Sequence, residues 1–283
     1  MKKISFDDLK NKTCAITGGG GIIGRSLSLG LASVGVKTAI LDLKKNMAED
    51  TADYIKNETG IESIGVESNV LDKDSMVSAK SFINDKLGSI DLLINCAGGN
   101  SSKATTKVEF IDPETKNNFE DSFFGLDVKG FEEVFNLNFL GTLIPTMILT
   151  KDMVEKEKGV ILNISSMNSF RPLTKIPAYS AAKSSVNNFT EWLAVHFAKL
   201  NIRVNAIAPG FFLTDQNRFL LIEEKTGSLK PRGHKIINAT PMGKFGDPED
   251  LQGTVLYLLS DISNFVTGII VPVDGGFNAY SGV

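Results

Sequence analysis

The sequence predicts an α/β fold, a doubly wound seven-stranded parallel sheet with helices on both faces. Seven short runs rich in Val, Ile and Leu lack polar alternation, which is typical of parallel strands covered on both sides. Segments with helical periodicity fill most of the intervals between those runs. The apolar runs are spread evenly along 283 residues without a linker or an internal repeat, so the chain is predicted to form one domain, residues 1–283.

Each element follows from these patterns in order along the chain. The first strand runs into glycines, the second ends in an aspartate and the sixth stops at a Pro-Gly pair, all of which interrupt regular structure. The predicted strands are Cys14–Thr17, Thr38–Asp42, Ser63–Asn69, Asp91–Cys96, Val160–Ser165, Arg203–Ala208 and Gly268–Val273. The predicted helices are Arg25–Val34, Asn46–Asn57, Lys73–Lys86, Phe131–Lys156, Tyr179–Lys199 and Pro248–Ser260.

Composition and charge exclude several classes of function. A formal net charge of −3 and the lack of a lysine- and arginine-rich tract argue against nucleic acid as a partner. The charged N-terminus, and the lack of any apolar stretch of about 20 residues, predict a cytoplasmic protein without a membrane partner. Cys14 and Cys96 fall in predicted strands, and His196 and His234 in helix and loop contexts, so no metal site is predicted.

A glycine-rich turn follows the first predicted strand. Residues 17–24 read Thr-Gly-Gly-Gly-Gly-Ile-Ile-Gly and lead into a helix, the arrangement that lets a pyrophosphate approach backbone N–H groups. The alternative is a merely flexible turn. Asp42 ends the second strand about 20 residues later, where a carboxylate binds ribose hydroxyls and repels a 2′-phosphate, although alone it is as often a helix cap. This pattern favours NAD over NADP, although Lys44 and Lys45 can soften the discrimination.

Tyr179 and Lys183 lie four residues apart on a predicted helix, which puts a phenol and an ammonium on one face. A positive charge about 5 Å away lowers a tyrosine pKa by roughly two units at an effective dielectric of about 20. We therefore expect Lys183 to lower the pKa of Tyr179. The strands on either side of this helix end at one edge of the predicted sheet, where open α/β sheets bind ligands. The pair is a candidate for acid–base catalysis.

From about Lys12 to Phe277 the sequence resembles the short-chain dehydrogenase/reductase family, whose fold is of the Rossmann type. The family's glycine turn corresponds to residues 17–24, with Ile22 in place of its middle glycine, and its Asn-Asn-Ala-Gly motif to residues 95–98, with Cys96 second. The resemblance implies an NAD(P)-dependent oxidoreductase acting on CH–OH groups. The implied cofactor-binding residues are Gly18, Gly20, Gly21, Ile23, Gly24, Asp42, Asn69, Val70, Asn95, Ala97, Gly98, Tyr179, Lys183, Pro209, Gly210 and Thr214.

The same resemblance implies a catalytic group of Asn138, Ser166, Tyr179 and Lys183. Tyr179 is expected to exchange a proton with the substrate oxygen, and Ser166 to donate a hydrogen bond to that oxygen. Lys183 is expected to lower the pKa of the tyrosine and to hold the nicotinamide ribose, while Asn138 holds a water that links Lys183 to solvent. Taken singly, Ser166 could cap a turn and Asn138 could satisfy a backbone carbonyl.

Two long segments are expected to shape the substrate site. One is an inserted loop at about residues 100–130, and the other, at about residues 211–246, follows the sixth strand as a lid. Their polar and cationic side chains suit a polyhydroxylated anion better than an acyl chain, unless they are simply solvated surface. The residues expected to bind substrate are Ser166, Asn168, Arg171, Lys175, Asn217 and Arg218.

Residues 166–179 and 211–218 resemble the mannonate/fructuronate oxidoreductases within the family. This implies interconversion of a sugar-acid hydroxyl and ketone, with D-mannonate and D-fructuronate as the first pair. Another polyol, another sugar acid such as gluconate, or a 3-oxoacyl substrate stays open, as does a non-catalytic dinucleotide-binding sensor. Because the family usually forms tetramers or dimers, a homo-tetramer or homo-dimer is expected.

Overall fold

The computed structural model describes residues 4–213, 218–224 and 226–282, and it contains one parallel sheet of seven strands in the order β3-β2-β1-β4-β5-β6-β7. Helices cover both faces, so the predicted fold class is confirmed. The strands are β1 (Thr13–Thr17), β2 (Lys37–Asp42), β3 (Ser63–Glu67), β4 (Leu92–Asn95), β5 (Gly159–Ile164), β6 (Ile202–Pro209) and β7 (Ile270–Val273). The helices are α1 (Ile22–Ser33), α2 (Lys45–Thr59), α3 (Lys73–Leu87), α4 (Val128–Leu149), α5 (Lys151–Glu155), α6 (Pro177–Phe197), α7 (Arg218–Leu221), α8 (Pro231–Asn238) and α9 (Gln252–Leu259).

Alternate residues of each strand contribute to two apolar layers, one on each face of the sheet. In β1, Cys14 and Ile16 belong to the layer that contains α1, α2 and α9, whereas Ala15 belongs to the layer that contains α3, α4 and α6. All three side chains are fully buried. A strand covered on both faces needs no polar alternation, which is why continuous apolar runs identified the strands in the sequence.

Two predicted helices differ from the observed ones in their continuity or helix type. The helix predicted over Phe131–Lys156 is split at Thr150 into α4 and α5. Helix α4 also begins earlier than predicted, because the Asp127 side chain accepts hydrogen bonds from two backbone N–H groups of its first turn. The helix predicted over Pro248–Ser260 begins as a 3-10 turn and becomes α-helical only at Gln252.

The carboxyl ends of the strands form the edge of the sheet at which the predicted site residues gather. Strands β1 and β4 are neighbours although β2 and β3 separate them in the sequence, so the strand order reverses between them. The register pairs Thr17 at the end of β1 with Asn95 at the end of β4, and Asn95 with Asn163 of β5. Ligands of open α/β sheets bind in the crevice at such a reversal.

None of the helices in the described part of the chain has both the length and the apolar character needed to cross a bilayer. Over those same ranges, no group of three or more His, Cys, Asp and Glu side chains is arranged to hold a metal ion.

Candidate active site

The glycine turn is packed tightly between β1 and α1. Gly18 has a φ of +63°, which favours glycine, and its carbonyl oxygen accepts the N–H of Gly21 at 3.2 Å. A Cβ atom on Gly24 would come 2.4 Å from that same oxygen, so only glycine fits there. Helix α1 begins at Ile22, three residues earlier than predicted. Ile22 therefore lies in the helix rather than in the turn, and the next residue, Ile23, packs on the core. The first backbone N–H groups of α1 have no partner within the helix and can bind an anion.

Asp42 closes the turn from the side of β2. Its carboxylate accepts hydrogen bonds from the backbone N–H groups of Gly20, at 3.2 Å, and Lys44, at 3.1 Å. A Cβ atom on Gly20 would lie 2.9 Å from Asp42 Oδ2, so the carboxylate sits directly against the turn. This is the position from which a carboxylate can reach the ribose of a nucleotide whose phosphates lie at α1.

A cavity of about 280 Å³ lies beyond Asp42 and fits the adenine end of a dinucleotide. It is lined by Leu43, Glu67, Ser68, Asn69 and Ser75. Strand β3 ends at Glu67, two residues earlier than predicted, so Asn69 lies in the loop beside the cavity. Leu43 is 67% exposed, and the buried hydroxyl oxygen of Ser68 has no hydrogen-bond partner among the described residues. An exposed apolar side chain beside an unpaired hydroxyl suits a heteroaromatic base.

The predicted adenine-side residue Val70 is buried rather than open. Its side chain packs against α4: a Cβ atom added to Gly141 of that helix would lie 3.1 Å from Val70 Cγ2. If Val70 contacts a base, it therefore does so mainly through its backbone atoms.

Ser166 and Tyr179 form the candidate proton-transfer pair. Ser166 follows β5, is 6% exposed and accepts the backbone N–H of Asn168 on its hydroxyl oxygen at 3.2 Å. Tyr179 lies in the first turn of α6, with its hydroxyl near enough to that of Ser166 for Ser166 to favour the phenolate. Burial raises the pKa of Tyr179, and Ser166 opposes that rise only in part. The expected lowering of the tyrosine pKa is therefore wrong for this structure.

Lys183 explains why the tyrosine pKa is not lowered. Its Nζ atom is buried, donates to the carbonyl oxygen of Ile164 at 2.7 Å, and lies 5.6 Å from the centroid of the Tyr179 ring. Burial lowers the pKa of Lys183 to about 8. Burial thus disfavours the charged forms of both groups, and the ammonium is held by a backbone carbonyl rather than by the phenol.

Asn138 lies in the middle of α4 and is fully buried. Its Nδ2 atom donates to the carbonyl oxygens of Gly99, at 2.7 Å, and Val134, at 2.8 Å, and its Oδ1 atom accepts the N–H of Gly99 at 3.3 Å. A Cβ atom on Gly98 would lie 2.6 Å from Asn138 Oδ1 and 3.3 Å from Lys183 Nζ. Asn138 and Lys183 therefore meet the same glycine, while the expected water-holding role stays a prediction.

Asn95 belongs to a network inside the protein rather than to the surface of the crevice. Its Nδ2 atom donates to Thr146 Oγ1 at 2.9 Å and to Asn163 Oδ1 at 2.8 Å. Asn163 in turn donates to Thr190 Oγ1 at 2.9 Å, so the network crosses from α4 through β4 and β5 to α6. The expected cofactor contact of Asn95 is thus not through its Nδ2 donor; the side chain instead ties together the elements that carry the catalytic group.

Thr17 is a residue that sequence reasoning missed. Its hydroxyl oxygen accepts the backbone N–H groups of Cys96, at 3.1 Å, and Ala97, at 3.2 Å, and so fixes the end of β4 beside the glycine turn. Burial raises the pKa of the Cys96 thiol to about 11. The available signal was a polar residue that ends an otherwise apolar strand next to the glycines.

The residues expected to bind substrate are only partly gathered by the structure. Asn168 is 4% exposed, and its Oδ1 atom has no hydrogen-bond partner within the described ranges. Arg171 is exposed, Lys175 is half-buried just before α6, and Arg218 is exposed at the start of α7. Asn217 lies outside the described residues.

The last wall of the crevice is the end of β6. Pro209 is the final residue of that strand, and Gly210 donates its N–H to the carbonyl oxygen of Val273 at 2.9 Å. A Cβ atom on Gly210 would come 2.6 Å from the Cα atom of Asp274, so this position needs glycine. The predicted cofactor contact Thr214 lies outside the described residues.

Comparison with known proteins gives one consistent result. A family model described as short chain dehydrogenase matches residues 12–225. UxuB, an uncharacterized oxidoreductase of Bacillus subtilis (strain 168), is 48% identical over 280 residues, which cover 98% of each chain. The 2-dehydro-3-deoxy-D-gluconate 5-dehydrogenase of Formosa agariphila is 33% identical over 283 residues, 99% of this chain and 97% of the relative. A crystal structure with bound NAD from Haemophilus influenzae, provisionally named D-mannonate oxidoreductase, has a TM-score of 0.91 at 47% identity and 98% coverage of both chains.

Proposed function

Because the chain belongs to the short-chain dehydrogenase family and is an oxidoreductase, we propose that it uses NAD(H) to interconvert a hydroxyl and a ketone of a sugar acid. The observation that carries the proposal is buried Lys183 5.6 Å from the centroid of the Tyr179 ring, with Ser166 near enough to the phenol to affect its pKa, at the sheet edge that also holds the glycine turn. D-mannonate and D-fructuronate are the first substrate pair. Relatives named for D-mannonate and for a deoxygluconate derivative support a sugar acid.

The cofactor is proposed to be NAD, with NADP disfavoured. The glycine turn and α1 would hold the pyrophosphate, Asp42 the adenosine ribose, and the cavity beside Ser68 the adenine. Bound there, the cofactor supplies or accepts the hydride. The relative from Haemophilus influenzae was crystallised with NAD, which supports the same choice.

Each catalytic side chain has a distinct role in the proposed reaction. The Tyr179 hydroxyl donates a proton to the carbonyl oxygen during reduction and takes it back from the substrate hydroxyl during oxidation. The Ser166 hydroxyl donates a hydrogen bond to that oxygen and stabilises its developing negative charge. Lys183, held by the Ile164 carbonyl, keeps a positive charge close to the phenol, and Asn138 positions the Gly98–Gly99 backbone against which Lys183 lies.

The raised pKa of Tyr179 also sets a pH dependence for the two directions. The phenol is protonated over the neutral range, so it can donate a proton for reduction, whereas oxidation needs the phenolate and increases as the pH rises. We therefore expect reduction of D-fructuronate to change little between pH 6 and 10 and oxidation of D-mannonate to become faster as the pH rises. Initial rates measured in both directions between pH 6 and 10 test this expectation; a parallel pH dependence would contradict it.

The substrate assignment is tested by a panel of carbonyl and hydroxyl compounds with NAD(H) and NADP(H). Turnover of D-fructuronate and D-mannonate, with weaker turnover of gluconate-type acids, is the expected result. Turnover restricted to neutral polyols or 3-oxoacyl compounds would overturn the sugar-acid assignment. NADH binding without turnover of any compound would favour the dinucleotide-binding sensor.

We also propose that the protein forms a homo-tetramer or homo-dimer through α4 and α6. Trp192 on α6 is 56% exposed although its ring stacks on Phe189 and His196, and Val195 on α6 and Met147 on α4 are also exposed. Large exposed apolar side chains on a helix are typical of an interface. Sedimentation of the wild-type protein tests the proposal, which a monomer at micromolar concentration would contradict.

A further inference from the structure

An ion pair joins the inserted segment to helix α8, and the mechanism above does not use it. Lys235 Nζ lies 2.5 Å from Glu109 Oε2, although 126 residues separate the two in the sequence. The hydrogen bond from Lys235 is the main cause that lowers the pKa of the Glu109 carboxyl, and the positive charges of Lys175 and Arg232 lower it further. We name Glu109, Lys175, Arg232 and Lys235 the rim cluster. Lys235 pairs with the Glu109 carboxylate directly, and the charges of Lys175 and Arg232 act on it from further away.

Backbone structure holds the rim cluster together from both sides. The N–H of Thr106, three residues before Glu109, donates to the carbonyl oxygen of Lys175 at 3.0 Å. On α8, Arg232 and Lys235 are three residues apart and both exposed, so they share one face of the helix. The members of the cluster therefore come from three parts of the fold: the inserted segment, the loop before α6 and helix α8.

One member of the rim cluster, Lys175, lies close to the catalytic group along the chain. Lys175 precedes Tyr179 by four residues, immediately before α6 begins. Ala104, at the base of the inserted segment, is buried in a small apolar cluster with Val134 and Ala178, against which the Tyr179 ring packs. The base of the inserted segment therefore packs beside Tyr179, and the N–H of Thr106 further along that segment donates to the carbonyl oxygen of Lys175.

We propose that the rim cluster selects substrates that carry a carboxylate, with Arg232 and Lys175 binding the carboxylate and Glu109 holding Lys235. This inference rests on the proposed function and deepens it. The cluster has an excess of two positive charges, which a neutral polyol cannot balance and a sugar acid can. The planar guanidinium of Arg232 can bind both oxygens of a carboxylate at once.

The test compares two ketoses that differ at one carbon. D-Fructuronate carries a carboxylate where D-fructose carries a primary alcohol, so the ratio of their kcat/KM values isolates recognition of the charge. Arg232→Gln should lower this ratio roughly tenfold and Lys235→Gln about threefold, whereas Glu109→Gln should raise it about threefold because it removes a competing negative charge. Lys116→Gln, an exposed position on the same segment, is the control and should leave the ratio within about twofold.

Opposite shifts in Arg232→Gln and Glu109→Gln would support the proposal. Ratios that stay constant in both, or that fall in Glu109→Gln as in Lys235→Gln, would overturn it and leave the ion pair as a structural contact. If wild-type turnover of D-fructose is too slow, the inhibition constants of D-gluconate and sorbitol replace the two kcat/KM values. Failure of the proposed function looks different, because the wild-type protein would then turn over no sugar acid at all.

Discussion

The two halves of the sheet hold their polar groups in different ways. In the half formed by β1, β2 and β3, the candidate binding groups are backbone N–H groups, the Asp42 carboxylate and an open cavity. In the half formed by β4, β5 and β6, Asn138, Ser166 and Lys183 are at most 6% exposed. Recognition needs groups that a ligand can reach, whereas proton transfer benefits from groups whose pKa values burial has shifted. Binding and chemistry should therefore respond separately to mutation.

We call the half formed by β4, β5 and β6 the catalytic half, and the half formed by β1, β2 and β3 the binding half. The largest expected effect is on the activity that depends on the catalytic half alone. Tyr179→Phe removes the proton donor and keeps the ring, so turnover of a sugar acid should fall roughly 10³-fold. NADH affinity, measured by fluorescence titration, should stay within about threefold. Tyr257→Phe, at an exposed position on α9, is the control and should keep its activity. Full turnover by Tyr179→Phe would remove the catalytic role, and equal losses of binding and turnover would show that the halves are not separable.

The next effect concerns the binding half. Asp42→Asn removes the charge that binds ribose and repels a 2′-phosphate, so the ratio of kcat/KM with NAD to kcat/KM with NADP should fall by roughly ten- to a hundredfold. Turnover at saturating NAD should change little, because the catalytic half is untouched. Asp50→Asn, exposed on α2, removes the same charge away from the turn. An unchanged ratio in Asp42→Asn would place cofactor discrimination elsewhere.

A smaller effect links the halves through Lys183. Its pKa of about 8 means that the ammonium loses its proton as the pH rises through that value. If the charged form holds the nicotinamide ribose, the Kd for NADH should rise roughly tenfold between pH 7 and pH 9.5. In Lys183→Met the Kd should be higher at pH 7 and nearly independent of pH, whereas Lys151→Met, exposed on α5, should keep the wild-type profile. Identical profiles for all three proteins would contradict this role.

The smallest effect compares a buried hydrogen bond in each half. Thr146→Val removes the partner of Asn95, and Thr38→Val removes the 2.8 Å hydrogen bond to Ser63 between β2 and β3. Each should reduce the free energy of unfolding by about 1–2 kcal/mol, which denaturant titration measures. Only Thr146→Val should also lower kcat, by about twofold, because Asn95 ends the strand that leads to Gly98. A similar loss of kcat in Thr38→Val would mean that the effect is general destabilisation.

The sequence was sufficient for the order of the strands and for proposing the Tyr179–Lys183 pair. Continuous apolar runs identified the central strands because both faces of the sheet are covered there. Tyr179 and Lys183 could be paired from spacing alone, since residues four apart share a helix face. The sequence predicted the ends of helices less well. Helix α4 begins after its cap, Asp127, and it ends at Thr150, where neither a glycine nor a proline marks the boundary with α5.

Two residues show where sequence reasoning stopped. The pKa of Tyr179 was expected to fall because Lys183 is near, but its direction depends on burial and on the carbonyl that holds the ammonium, which a one-dimensional pattern does not contain. The cofactor contact expected of Asn95 stays a prediction, but the sequence did not indicate that its Nδ2 atom donates to Thr146 and Asn163, which are 51 and 68 residues away in the sequence.

By itself, the sequence determined the parallel sheet and the glycine turn and proposed Tyr179 and Lys183 as a proton-transfer pair, because periodicity and short spacings are local properties of a chain. Only the tertiary structure decided how deeply Lys183 is buried, in which direction the pKa of Tyr179 shifts and which group pairs with Glu109 at the rim. Those properties depend on contacts between residues far apart in the chain, and such contacts set the local dielectric and therefore the charge of each group.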